Sequence, residues 1–193
     1  MKKIKTLFMM DTNHQMTDVP NEGTKGVFNG EWIPRVKLDG SACAIMGGKL
    51  YKRYDRKLNK KGIRRTPPPG WVQCDEFPDP ITGHWPGWAP VTFEDTYLLD
   101  AWKDLTETCV IPIDGTYELI GPKVQGNPYS MVDLHALIPH SYSRIVPLTM
   151  PMTYNSLKAD LGELNEEGIV FHGPDNQYFK LRRSDFGFSW SIK

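Results

Sequence analysis

Short apolar runs separated by turn residues dominate the chain and predict a protein rich in β-strands. Two of these runs flank Gly47-Gly48, a pair that is typical of a two-residue β-hairpin turn. A second hairpin is expected across the turn at 173–176, near the end of the chain. The predicted strands cover residues 3–9, 32–38, 42–46, 49–54, 110–113, 116–120, 135–138, 145–148, 168–171 and 177–181.

Only two segments have helical periodicity. Between 94 and 108, apolar residues recur at 97, 98, 101, 102 and 105, which predicts an amphipathic helix that packs on a core. A shorter helix is expected over 155–164, with Asn155 or Ser156 as its N-cap. Many strands and two helices predict an α+β fold, built on antiparallel sheets with flanking helices.

The length of 193 residues predicts a single domain over 1–193. The N-terminal apolar stretch ends at Asp11, too early for a secretory signal, and no run reaches the roughly 20 apolar residues of a membrane span. Cys43, Cys74 and Cys109 form no disulfide or zinc pattern. We therefore expect a cytoplasmic monomer without a membrane segment. A viral protein of this kind would lie in the cytoplasm of its host.

Charge is distributed unevenly, although 23 basic and 23 acidic residues balance overall. Residues 49–65 carry nine cations against one acid, Asp55, whereas residues 71–118 carry ten acids against one base. A solvated face or a phosphate-binding surface would each explain the cations. The residues assigned to nucleic acid, here called the basic strip, are Arg56, Lys57, Lys60, Lys61, Arg64 and Arg65.

Residues 57–90 form an irregular insertion that is rich in proline and tryptophan. Its aromatic residues, Trp71, Phe77, Trp85 and Trp88, argue against disorder. The favoured interpretation is a loop packed by its own aromatic side chains. The alternative is a platform on which Trp85 or Trp88 stacks a nucleobase beside the cations.

The candidate chemistry begins at Lys37, near the end of a predicted strand. In an extended strand Asp39 would share a face with Lys37, and Gly40 would supply the backbone freedom for a turn. The following hairpin would place Arg53 or Arg56 on a strand adjacent to that of Lys37.

A lysine amine is a nucleophile only when it is neutral, so neighbouring cations that lower its pKa would activate it. Lys180 and Arg182 alternate onto one face of the last strand, where they could do so and could also bind an α-phosphate. Glu118 and Glu167 would remain for ribose hydroxyls and for a divalent metal. Together these residues indicate nucleotidyl transfer through a lysyl-phosphoramidate.

The order of these motifs resembles the covalent nucleotidyltransferases, which are the polynucleotide ligases and the capping enzymes. It is most similar to an ATP-dependent RNA ligase of compact form, without an OB-type domain, because only six residues follow Gly187. The motifs, in chain order, are K-x-D-G at 37–40, an arginine on the next hairpin, E-L-I-G-P at 118–122 followed by Gln125, E-G-I-V at 167–170 and K-L-R at 180–182. A D-P-x-T-G-H-W-P-G-W stretch at 79–88 is also shared with compact RNA ligase-like proteins.

The resemblance implies an adenylyltransferase domain that uses ATP and Mg²⁺ or Mn²⁺ to join RNA ends or nicks. Lys37 would take AMP, pass it to a 5′-phosphate, and a 3′-hydroxyl would then displace it. Lys180 and Arg182 would bind the α-phosphate, while Glu118 and Glu167 would bind metal, Glu118 also being a candidate for the ribose. The remaining residues assigned to the nucleotide are Arg35, Val36, Asp39, Arg53 and, at the position that stacks on the base, His135.

Ala42 stands where many DNA ligases have arginine, which is a departure from their pattern. Two other hypotheses remain open at this point. One is a DNA ligase or guanylyltransferase that uses the same lysine chemistry. The other is a non-catalytic module that binds nucleotides or RNA.

Overall fold

The computed structural model describes residues 2–108 and 112–190, which form two compact units. Unit 1 contains the N-terminal residues up to Lys3 and the segment Gly40–Tyr142, and unit 2 contains Ile4–Asp39 and Ser143 onwards. Cys109 and the first half of the strand predicted at 110–113 lie outside the described residues. Among the described helices, none has the length and apolar character needed to cross a bilayer.

Twelve strands and three α-helices are present in the described chain. The strands are β1 (Lys5–Thr6), β2 (Phe8–Met10), β3 (Met16–Pro20), β4 (Ile33–Lys37), β5 (Ser41–Met46), β6 (Lys49–Arg53), β7 (Val72–Gln73), β8 (Gly87–Pro90), β9 (Gly115–Ile120), β10 (Ala136–Pro139), β11 (Gly168–His172) and β12 (Tyr178–Arg182). The helices are α1 (Lys25–Phe28), α2 (Thr96–Glu107) and α3 (Tyr154–Glu163).

Unit 1 is organised around a six-stranded antiparallel sheet with the order β10-β9-β5-β6-β8-β7. The predicted hairpin at Gly47-Gly48 joins β5 to β6, and both glycines have positive φ. Helix α2 buries Leu98 and Ala101 in a core with Ile45 and other apolar residues of the sheet. The apolar stripe of α2 is therefore the core face that its periodicity predicts.

Unit 2 contains a four-stranded sheet with the order β1-β12-β11-β4 and a separate hairpin of β2 and β3. β1 runs parallel to β12, and the other pairs are antiparallel. The core joins residues of this sheet, such as Ile169 and Leu181, to Leu157 and Leu161 of α3. The predicted α+β class is confirmed. The single-domain assignment stays a prediction.

Several predicted boundaries are wrong for physical reasons. Residues 3–9 form two short strands that pair in different sheets. Residues 145–148 contain only an isolated bridge between Ile145 and Arg35. Helix α3 begins one residue early because Thr153 is its N-cap, and Ser156 completes the capping box from the third helical position.

The predicted adjacency of Arg53 to the strand of Lys37 is also wrong. Arg53 ends β6, which pairs with β5 and β8, whereas the β4 strand of Lys37 pairs with β11. The hairpin of β5 and β6 does not continue the sheet that contains β4. The strands instead enter a different sheet after Asp39.

The insertion at 57–90 is packed by its tryptophans, as the favoured interpretation predicts, whereas Phe77 is 70% exposed. Trp88 belongs to β8 and is only 3% exposed. The indole nitrogens of Trp71 and Trp85 donate to the main-chain carbonyls of Tyr54 and Asp75, at 2.9 and 2.7 Å. The rings of Trp71 and Trp85 meet edge to face with centroids 5.5 Å apart. Trp88 is therefore not a free platform for a nucleobase.

Candidate active site

The side chains of β4 alternate between the core of unit 2 and the opposite face. Val36 is 5% exposed and packs in the core, so its backbone is the part left for a nucleotide contact. Arg35 and Lys37 lie on the other face. Arg35 is held there because its Nη1 donates to the carbonyl of Ser143 at 2.6 Å.

The register of the sheet brings Lys37, Gly168 and Arg182 into one row, with Gly168 on the middle strand. A Cβ at Gly168 would clash with the carbonyl oxygen of Leu181 and with Cα of Arg182. Glycine is therefore required where β11 and β12 approach closely, and no side chain stands between Lys37 and Arg182. This close approach gives a physical reason for the glycine of the E-G-I-V motif.

Glu167, directly before β11, contacts the Nζ of Lys37. Burial raises the pKa of Glu167, and the Lys37 ammonium opposes part of that rise. Asp39 and Arg182 also act on this carboxyl electrostatically. The structure therefore brings together four residues that the sequence assigned to one site.

Lys180 lies in the next row, opposite Val170. Its pKa is lowered, first by burial and then by the positive charges of Arg182 and Lys37. The electrostatic effect of neighbouring cations is therefore present at Lys180. A desolvated ammonium of this kind can bind an anion more strongly than an exposed one can.

Arg182 has a carboxylate partner that sequence reasoning missed. Its Nε and Nη2 donate to one oxygen of Asp185 at 3.0 and 2.7 Å, and its main-chain NH donates to the other at 2.8 Å. The Asp185 side chain is 1% exposed. An arginine followed three residues later by aspartate was the available signal. Asp185 fixes the direction of the guanidinium and leaves its Nη1 outside the pair.

Asp39 lies beyond the end of β4, so strand alternation does not place it on the same face as Lys37. Its Oδ2 accepts a hydrogen bond from the indole Nε1 of Trp190 at 2.9 Å. Nothing in the sequence pattern pointed to this tryptophan, which lies 151 positions further along the chain.

In unit 1, Glu118 is a buried residue in the middle of β9, with 8% of its surface exposed. Its Oε2 lies 2.8 Å from Nε2 of His140, and Nδ1 of that histidine lies 2.9 Å from the Thr116 hydroxyl. The His140 ring thus bridges the Glu118 carboxylate and the Thr116 hydroxyl. Glu118 is therefore an oriented carboxylate rather than an exposed residue at a strand end.

Gly40 lies against the same strand. A Cβ at this position would clash with the carbonyl oxygen of Leu119 and the Cγ of Glu118. Its φ is outside the left-handed region, so the bend at this position does not need the conformation that glycine alone adopts readily. The glycine of K-x-D-G is needed for close packing against β9.

Arg53 is fixed by three neighbours in unit 1. Its Nε donates to Asp55 at 2.7 Å, and its guanidinium lies 5.2 Å from the ring centre of Trp88. Its Nη1 is 3.8 Å from the Cys74 sulfur. Arg53 also lines a cavity of unit 1 together with Gly40, Ser41, Tyr97 and Gln125.

His135, the predicted base-stacking residue, stacks on Tyr97 with ring centres 4.7 Å apart and planes inclined by 18°. Its buried Nε2 has no hydrogen-bond partner within residues 2–108 and 112–190. A Cβ at Gly121 would clash with the His135 ring, so the glycine of E-L-I-G makes room for it.

No group of three or more histidine, cysteine, aspartate or glutamate residues that could hold a metal exists in the described chain. A protein-only cage is therefore not found there. Mg²⁺ commonly binds through one or two carboxylates together with substrate phosphates, and this arrangement needs no such cage. The carboxylates of Glu167 and Glu118 fit that mode individually.

The basic strip divides into two kinds of residue. Arg56 lies 5.3 and 5.1 Å from the ring centres of Trp71 and Trp85, and Arg64 lies 5.8 Å from that of Trp85. Arg64 also donates to the Gly83 carbonyl, so both arginines hold the insertion together. The other four members are exposed, and these are Lys57, Lys60, Lys61 and Arg65.

The α+β fold and the cluster of Lys37, Glu167, Lys180 and Arg182 fit the class that the motifs predict, a lysine-dependent nucleotidyltransferase. Comparison with known proteins points to RNA ligases. Residues 101–193 match the family described as RNA ligase 1.

Three curated proteins with the same name, RNA ligase 1, are similar to this chain. The protein from Pongo abelii is 30% identical over 162 residues, covering 65% of this chain and 50% of that protein. Those from Danio rerio and Mus musculus are 28% and 29% identical, covering 57% of this chain and 43% and 42% of their own lengths. The chain thus spans half or less of the length of these relatives. The predicted resemblance to RNA ligases is confirmed.

Proposed function

We propose that this chain is the nucleotidyl-transfer part of an ATP-dependent RNA ligase, which joins 5′-phosphate and 3′-hydroxyl ends. The observation that carries the proposal is the contact of Lys37 with Glu167 on a sheet that also presents Lys180 and Arg182. The similarity to proteins named RNA ligase 1 supports RNA as the substrate. It also agrees with the prediction of a polynucleotide ligase.

In the first step, Nζ of Lys37 attacks the α-phosphorus of ATP. A nitrogen–phosphorus bond forms, the bond to the bridging oxygen breaks, and pyrophosphate leaves. The attacking amine must be neutral. Its ion pair with Glu167 therefore has to open, and the ammonium has to lose its proton, before the bond forms.

Lys180 and Arg182 stabilise the charge that develops on the α-phosphate. Lys180 is already desolvated, so its ammonium gains more from a phosphate partner than an exposed lysine would. Arg182 is held in one direction by Asp185, which reduces the entropy lost when it binds phosphate.

A bound Mg²⁺ or Mn²⁺ would neutralise phosphate charge, and Glu167 of unit 2 and Glu118 of unit 1 are separate candidates to hold it. Arg53 and Glu118 are proposed to bind the ribose, and His135 is proposed to stack on the base. Asp39 and the backbone around Val36 are proposed for the nucleotide. Arg35 acts through its bond to Ser143, which holds the strand that carries Lys37.

In the later steps AMP passes from Lys37 to the 5′-phosphate of an RNA strand, and a 3′-hydroxyl then attacks that phosphate and releases AMP. This last step requires no free lysine amine. The four exposed cations of the basic strip supply electrostatic binding of the strand.

The first experiment is to incubate the protein with ATP and magnesium or manganese and to measure its intact mass. We expect an added AMP that peptide mapping places on Lys37. An adduct on another lysine would overturn the assignment, and no adduct at all would favour the non-catalytic module. ATP compared with GTP, and RNA compared with DNA nicks, separates RNA ligase from guanylyltransferase and DNA ligase.

A second experiment tests the order of the steps. Lys37→Ala should abolish sealing with ATP but retain measurable sealing of an RNA that already carries a 5′-AMP. Glu167→Ala should impair both reactions, because each needs a bound metal and stabilisation of the charge on the phosphate. Normal sealing by Lys37→Ala with ATP would show that the mechanism is wrong.

A further inference from the structure

A strained residue borders the cavity of unit 1. The main-chain NH of Asn127 donates to the carbonyl of Val124 at 2.8 Å, and the two residues between them, Gln125 and Gly126, have φ of 48° and 75°. Two successive positive φ values define a type I′ turn, in which asparagine or glycine is normal at the first central position. Glutamine is unfavourable there because its Cβ crowds the backbone.

The fold holds this turn from both sides. Val124 is buried in the core of unit 1. The Asn127 side chain accepts from the main-chain NH of Met131 and donates to its carbonyl, both at 2.8 Å. The strain at Gln125 is thus imposed by its neighbours.

The side chain of Gln125 contributes nothing visible to folding. It is exposed, and within the described residues its amide makes no hydrogen bond or ion pair. It does line the cavity that Arg53 and Tyr97 also line. A strained residue without a structural contact, beside a cavity, indicates a role in binding.

We propose that the Gln125 amide contacts the base of the nucleotide held in this cavity and selects adenine over guanine. The inference rests on the proposed function and adds the residue that reads the base. Tyr97 gives the cavity an aromatic wall, and its ring already stacks on His135. Arg53 lines the same cavity and is the residue assigned to the ribose.

The chemistry of the amide fits adenine. A glutamine amide can accept from the N6 amino group of adenine and donate to its N7, and so form two hydrogen bonds. Guanine presents two acceptors, O6 and N7, at the corresponding edge, so the amide oxygen has no donor there. Loss of such a two-bond contact lowers affinity by about 10- to 100-fold.

The test measures binding of the α,β-methylene analogues of ATP and GTP, which bind without transferring AMP or GMP. Gln125→Gly should weaken the ATP analogue by at least about tenfold and leave the GTP analogue within about threefold. Gln125→Asn keeps an amide and tolerates positive φ, so it should be intermediate. Glycine also removes the strain, so the melting temperature of Gln125→Gly should not fall.

Ser130→Gly is the matched control, because Ser130 also has a positive φ of 51° in the same loop but does not line the cavity. It should leave both affinities unchanged. Equal losses for the two analogues with Gln125→Gly, or no loss, would overturn base reading by Gln125. Absence of the AMP adduct on Lys37 would instead overturn the proposed function, so the two failures are distinguishable.

Discussion

Two regions of this protein are rich in cations, and they use positive charge in opposite ways. On the sheet of unit 2, Lys180 is partly buried, and burial and neighbouring cations lower its pKa. In the basic strip, Lys57, Lys60 and Lys61 are exposed to solvent. Exposed charges are screened by water and salt, whereas desolvated charges act strongly over short distances.

The comparison shows that the number of cations does not indicate their function. The basic strip has more positive residues, yet Arg56 and Arg64 serve to pack the tryptophans of the insertion. The sheet of unit 2 has fewer cations, but its register places them in adjacent rows around Gly168. A site for chemistry needs that placement, whereas a surface for a long polyanion needs only accessible charge.

The largest expected effect is that of Lys180→Met. Removing one desolvated cation from a phosphate site should slow formation of the AMP adduct by at least about 100-fold. Burial and neighbouring cations disfavour the charged form of Lys180, so an apolar side chain of similar length should leave the melting temperature the same or raise it.

Thermal melting and the rate of adduct formation, measured on the same variant, check this prediction. Lys158→Met is the matched control, because Lys158 is an exposed lysine on α3. It should change neither quantity. A destabilised Lys180→Met protein with a normal rate would show that Lys180 is structural, and the contrast between the two regions would then fail.

The second largest effect is expected from the basic strip. Neutralising its four exposed cations, Lys57, Lys60, Lys61 and Arg65, should weaken RNA binding and lower the slope of log affinity against log salt by up to about 3. Formation of the AMP adduct should be unchanged, because it needs no RNA. Binding measured over a series of salt concentrations checks this, and unchanged affinity would mean that the strip is only a solvated face.

The smallest effect is expected within the strip. Arg64→Met should lower the free energy of unfolding by about 1 to 2 kcal/mol, because it removes a cation–π contact and main-chain hydrogen bonds. Lys60→Met should change it by less than about 0.5 kcal/mol. Denaturant unfolding of the two variants checks the difference. Equal stabilities would contradict the division of the strip into structural and exposed residues.

Much of the fold follows from local pattern. The stripe at 97–105 predicts α2, Gly47-Gly48 predicts the β5–β6 hairpin, and alternation at Lys180 and Arg182 predicts their common face. Each of these depends on contacts between residues close in sequence. The predicted pairing of the Arg53 strand with that of Lys37 failed, because which strands share a sheet depends on contacts between distant segments.

The same limit applies to the candidate site. Residue type and motif order were enough to select the candidates Lys37, Glu118, Glu167, Lys180 and Arg182. They were not enough to select the partners of these residues. His140 for Glu118 and Trp190 for Asp39 are chosen by strand register and by long-range packing.

The sequence by itself determined the α+β class, the set of candidate side chains and the resemblance to RNA ligases, because local periodicity and motif order can be read directly from the chain. Only the tertiary structure decided what those side chains meet. Gly168 and Gly40 needed no special φ, and each is required because another strand's carbonyl lies against it. Such an approach arises when strands distant in sequence pack together, and no local pattern encodes it.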